Sequence, residues 1–116
     1  MDLYGAYNVM ITAGTQVDSD VMNVVEGSNG SLLFTFEFGI TTDANGPNAN
    51  GLRASLNGDK VTLAAQPAHV DHWMGLMNGN ISGSGSLKKG GDADLSLTFA
   101  PASGSPLTLA ISGSKL

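Results

Sequence analysis

Apolar and polar residues alternate with a period of two in eight short segments, the pattern of strands that bury one face. The third is the clearest, with Leu32, Phe34, Phe36 and Phe38 on one side and Leu33, Thr35, Glu37 and Gly39 on the other. The seventh sets Ala93, Leu95, Leu97 and Phe99 against Asp94, Ser96 and Thr98. The eighth sets Leu107, Leu109 and Ile111 against Thr108, Ala110 and Ser112. Leu52, Ala54 and Leu56 give the fourth inward row, and Val61, Leu63 and Ala65 the fifth. Tyr7, Val9, Ile11 and Ala13 give the first, which leaves Met10 facing out. The second, Val21–Glu26, is apolar on both faces. In the sixth the inward row reads Met77, Gly79, Ile81, Gly83, Gly85 and Leu87. Alternate glycines predict sharp coiling of the sheet or close approach of another group.

The connections alternate in length. Gly14–Asp20, Thr41–Asn50, Pro67–Gly75 and Pro101–Pro106 read as long. Gly27-Ser28-Asn29-Gly30, Asn57-Gly58-Asp59 and Lys88–Asp92 read as short, and they supply the residues that tight hairpin turns need. In an antiparallel meander, odd connections fall at one end and even ones at the other, so the pattern predicts an elaborated mouth and a plain base. Eight strands without a helix must hide one face each, in a sandwich or a barrel. Short hairpins, an even strand count and the need to remove exposed edges point to the barrel. The expectation is an all-β, eight-stranded antiparallel up-and-down barrel. A Greek-key sandwich, with Thr41–Asn50 as its crossover, is the alternative.

Length fits one domain over residues 1–116. The net charge of −5, with Arg53, Lys60, Lys88, Lys89 and Lys115 scattered along the chain, disfavours nucleic acid and anionic membrane surfaces, both of which need clustered cations. The absence of cysteine excludes thiol catalysis, disulfides and thiolate zinc sites. No apolar run reaches the roughly 18 residues of a membrane span, and Met1-Asp2-Leu3-Tyr4-Gly5 carries no signal-peptide core. A surface built from Ser, Thr, Asn and Gly leans towards a secreted or periplasmic bacterial setting, as for a chain whose signal has been removed.

Gly5-Ala6-Tyr7 at the first strand and Lys115 after Gly113-Ser114 near the last give the chain its one likeness to a known group. It resembles the calycin barrels, which include lipocalins, avidins and fatty-acid-binding proteins. Lipocalins begin with Gly-x-Trp, and a basic residue from the last strand packs across that ring at the closed base. Here tyrosine stands for tryptophan and lysine for the usual arginine, and the other lipocalin motifs and avidin's biotin-stacking tryptophans are absent. A flat ring plugging the base under a cationic stem is sound chemistry. The resemblance implies binding of a small apolar molecule inside the barrel.

One loop is dense in reactive groups: Ala68-His69-Val70-Asp71-His72-Trp73-Met74 holds both histidines, the only tryptophan and a carboxylate. His69 and Asp71, two apart, would share a face, so that the carboxylate orients an imidazole general base. His72 would alternatively join His69 on a metal. The bland reading is an exposed loop with Trp73 and Met74 as an apolar lid. The Thr41–Asn50 loop has oxygen ligands around a glycine but only one carboxylate, Asp43, and reads as turn residues rather than a calcium site. Glu37 and Glu26 face solvent in the assigned register. No metal or cofactor is assigned.

The leading expectation is a barrel that binds a small apolar molecule. Tyr7, Phe34, Phe36, Phe38, Leu52, Leu63, Ile81, Leu97 and Phe99 would line the interior, and Trp73 and Met74 would guard the mouth. The small residues Ala54, Ala65, Gly79, Gly83, Gly85 and Ala93 argue for internal space. The alternative is an isomerase- or cyclase-type enzyme using His69, Asp71 and His72. A further alternative is an assembly or adhesion module using the apolar outer face of Val21–Val25.

Overall fold

The computed structural model describes residues 3–27, 30–37, 39–41, 51–72, 75–88 and 90–116, with the side chains of 41, 71, 72, 75 and 76 outside that description. The predicted Phe38, Trp73, Met74 and the Asp43 loop lie outside it as well. Nine strand segments run in order among the described residues. They are β1 (Gly5–Ala13), β2 (Gln16–Glu26), β3 (Leu32–Phe36), β4 (Ile40–Thr41), β5 (Leu52–Asn57), β6 (Lys60–His72), β7 (Gly75–Leu87), β8 (Asp92–Pro101) and β9 (Leu107–Lys115). All pairings are antiparallel. β1 pairs with both β2 and β9, and β6 pairs with both β5 and β7, so eight strands close on themselves and the sandwich is excluded. The short β4 pairs with the far half of β6, through Ile40 opposite Val70. No described helix is long and apolar enough to cross a membrane.

The inward rows of the clear segments form the core. Tyr7, Phe34, Phe99, Leu32, Leu52, Leu63, Ile81, Leu95, Leu97 and Leu109 are fully buried in one cluster, while Met10 is exposed. In β2 the inward row is Asp20, Met22 and Val24, with Val25 exposed outside. Glu26 and Glu37 are exposed, as the assigned register requires.

Two of the long connections prove to be strand. The first shrinks to Gly14-Thr15, because Ala13 pairs with Gln16 and β2 starts there, five residues before the predicted segment. Gly14 takes φ +64°, the left-handed conformation that glycine adopts without strain. Gln16–Ser19 escaped the periodicity because none of the four is buried; β1's ladder, not the core, holds them as strand. The fifth also disappears, since Pro67–His72 pair with Asn80–Gly75 as the continuation of β6 and β7.

A β-bulge explains why that stretch was unreadable. Between Leu63–Gly83 and Gln66–Ile81, β6 advances three residues while β7 advances two. Ala64 and Ala65 are both exposed, and burial resumes at Ala68 and Val70, so the inward set switches from odd to even numbers. Ala65 is therefore outside the barrel, not one of its small inward residues.

The glycine row of β7 does not create internal space either. A Cβ on Gly85 would fall 2.6 Å from Leu95 Cα, and one on Gly83 2.8 Å from Leu97 Cα. The volume that side chains on β7 would fill is taken by the backbone of β8 and by Leu95 and Leu97, whose δ-carbons lie 2.8 and 2.9 Å from the same points. Close approach of a neighbouring strand, one of the two meanings of alternate glycines, is what this row provides.

Candidate functional site

The base of the barrel is sealed by local chemistry. Tyr7 is completely buried, and its hydroxyl donates to the Leu3 carbonyl at 2.8 Å, tying the buried Leu3 beneath the barrel. Burial also raises the Tyr7 pKa above the usual tyrosine value, because a phenolate would be stripped of water. Tyr7 lies opposite Lys115 in the β1–β9 ladder, and a Cβ on Gly5 would fall 3.0 Å from Lys115 Cε. Gly5, Tyr7 and Lys115 thus meet at one end. The hairpins at Gly58-Asp59 and Gly90-Gly91 close the same end.

The other end is looser. Ile11 and Phe36 are each 7% exposed and Ala13 8%, against 0–1% for Tyr7, Phe34, Ile81 and Leu97. Ile11, Ala13, Gly39, Ile40, Val70 and Leu109, with Asp18 at the edge, surround a cleft of about 20 Å³. That volume holds about one water molecule.

Asp20 braces this end. Only 4% exposed, its carboxylate accepts the backbone N–H groups of Val21 at 2.7 Å, Glu37 at 3.1 Å and Gly39 at 2.7 Å. Glu37 and Gly39 lie where β3 gives way to β4, and Val21 is the next residue of β2. The two carboxylate oxygens take the Val21 and Gly39 N–H groups and share that of Glu37 with the Val21 carbonyl, also 3.1 Å away. Sequence reasoning placed Asp20 at the end of a loop. The inward phase of Met22 and Val24, carried back two residues, points to it.

The predicted interior residues Tyr7, Phe34, Phe36, Leu52, Leu63, Ile81, Leu97 and Phe99 come together as one packed cluster. The histidine stretch belongs to a strand rather than a loop. His69 alternates with the buried Ala68 and Val70 and so faces outward, where its Nδ1 shares a 2.5 Å hydrogen bond with Asn78 Oδ1 on β7. Asp71 and His72 pair through their backbones with Leu76 and Gly75. Their side chains lie outside the described residues. Among the described residues no three His, Asp or Glu side chains gather as a metal would require.

A second feature of the wall went unseen in the sequence. Beyond the Ser55–Thr62 pair, β5 and β6 stop pairing, and the Gln66 side chain occupies the gap. It accepts the Arg53 N–H and donates to the Arg53 carbonyl, both at 2.8 Å, and also donates to the Ala64 carbonyl at 3.0 Å. A groove of about 360 Å³ opens beside it on the outer surface. Nothing in the alternation of residues signals a side-chain amide standing in for a ladder bond.

Comparison with family models, with curated proteins and with solved structures finds no match.

Proposed function

We propose that the protein is a binding module that takes one small apolar molecule into the mouth-end layer of the barrel. The observation that carries this reading is the gradient of packing along the axis. The base and middle are sealed by fully buried aromatics and leucines, whereas Ile11 and Ala13, which line an apolar cleft, and Phe36 retain contact with solvent. A ligand enters by displacing the side-chain ends of Ile11, Ile40 and Leu109, so the site is a shallow seat above a filled core rather than a deep calyx. Apolar lining with a single polar group at its edge, Asp18, suits recognition by shape and burial. The meeting of Gly5, Tyr7 and Lys115 at the base supports the likeness to calycins and, with it, the same class of ligand.

The test is a fluorescence titration with the neutral dye N-phenyl-1-naphthylamine. Saturable enhancement is expected in the parent chain and its loss in Ala13→Leu, which fills the cleft. Equal binding by both chains, or none by the parent, would overturn the reading.

A further inference from the structure

The groove on the outer wall shares no lining residue with the mouth-end cleft. It lies where the bulge at Ala64 and Ala65 carries β6 away from β5, and the Gln66 carboxamide keeps the two strands apart. Ala64 and Ala65 provide small exposed apolar surfaces, Ser55 and Thr62 provide hydroxyls, and Arg53 provides a positive charge; Ala54, between Arg53 and Ser55, turns its methyl into the core. Arg53 is one of five strong cations in a chain of net charge −5, and no ion pair to it is present among the described residues. Its backbone N–H and carbonyl are already bonded to Gln66, so the strand edge has no free pair there to recruit another strand. What remains for a ligand is the side-chain chemistry: a guanidinium fork, the hydroxyls of Ser55 and Thr62, and the methyls of Ala64 and Ala65.

We propose that this groove binds a small organic carboxylate, with its acid on the Arg53 guanidinium and its apolar body on the alanine methyls. A carboxylate matches the planar fork of one arginine in a bidentate pair. A phosphate dianion finds one cation here where it needs more, and a neutral apolar molecule leaves the guanidinium unused. The groove volume of about 360 Å³ accommodates an aryl or short-chain acid.

Benzoate is the probe, followed by NMR of alanine methyls and arginine Nε–Hε groups. The expected result is saturable shifts at Ala64, Ala65 and Arg53, weakened by added salt, with the core-facing Ala54 methyl moving little. Arg53→Gln should reduce the affinity roughly tenfold, as for loss of one charge-assisted hydrogen-bonded pair. Arg53→Gln leaves the ladder intact because Gln66 binds only the backbone of residue 53. Benzamide, of the same shape without the charge, and inorganic phosphate, with charge but no apolar body, should each bind at least tenfold more weakly than benzoate. Failure of benzoate to saturate, equal binding of benzamide or of phosphate, or undiminished binding by Arg53→Gln would each overturn the proposal. Shifts of the Ile40 and Val70 methyls in place of the alanines would do so too, while leaving the mouth-end reading standing.

Discussion

The Gln66 side chain and the Arg53 peptide form a two-way amide pair across the barrel wall: Oε1 accepts the Arg53 N–H and Nε2 donates to the Arg53 carbonyl, each at 2.8 Å. The same Nε2 reaches the Ala64 carbonyl at 3.0 Å. One side chain thereby replaces a rung of the β5–β6 ladder and spaces the strands apart. Gln66→Glu keeps an acceptor for the Arg53 N–H but loses both donated bonds and brings a carboxylate against two carbonyls. The expected cost is roughly 1–2 kcal/mol. Urea unfolding should show a lower midpoint at an unchanged slope.

Asp20 uses both carboxylate oxygens, one towards Val21 and Glu37 and the other towards Gly39. In Asp20→Asn an amide –NH₂ must face one of these N–H donors. A loss of about 1–3 kcal/mol is expected from the buried donor left without an acceptor. Hydrogen exchange should locate the damage, with faster exchange at Glu37 and Gly39 while the Leu95 and Leu97 amides, far from the brace, keep their relative protection.

Tyr7 ties the base, and its ionisation is opposed by burial. The folded pKa lies above the unfolded value of about 10, so this contribution to stability is present below pH 10 and is lost as pH rises through the folded pKa. Alkaline titration by tyrosinate absorbance should show a late-ionising tyrosine that is absent from Tyr7→Phe. At neutral pH, Tyr7→Phe should cost about 0.5–1.5 kcal/mol through the lost bond to Leu3.

Two glycines separate close packing from turn geometry. A Cβ on Gly85 meets Leu95 Cα at 2.6 Å, whereas one on Gly90 has nothing within 4 Å. Gly85→Ala should therefore destabilise by about 3 kcal/mol or more, because the atom it strikes is backbone. Gly90→Ala should leave the thermal midpoint nearly unchanged.

Strands with one wholly apolar face and a mainly polar opposite face were legible from residue order alone: Leu32–Phe36, Ala93–Phe99 and the Leu109–Ile111 row carry their burial in their spelling. The barrel followed from their number and the turn residues between them. What failed did so for two reasons. Gln16–Ser19 is held by pairing rather than burial, and pairing leaves no period in the side chains. The extra residue at the Ala64–Ala65 bulge inverted the phase of the rest of β6, so Ala68 and Val70 read as loop and His69 was expected at a mouth rather than on the outer wall. The packed interior was also hidden, because alternate glycines look the same whether a ligand or a neighbouring strand fills the space beside them. Asp20 was recoverable by extending the Met22–Val24 phase. Gln66 was not, since a side chain replacing a backbone rung depends on the bulge beside it.

The most direct measurement is methyl NMR of the isotopically labelled chain during titration with N-phenyl-1-naphthylamine. The account expects saturable shifts concentrated at Ile11, Ile40, Val70 and Leu109, with the Ile81 and Leu97 methyls of the filled core scarcely moving. Saturation with the largest shifts at Ile81 and Leu97, or no saturable shift anywhere, would contradict it.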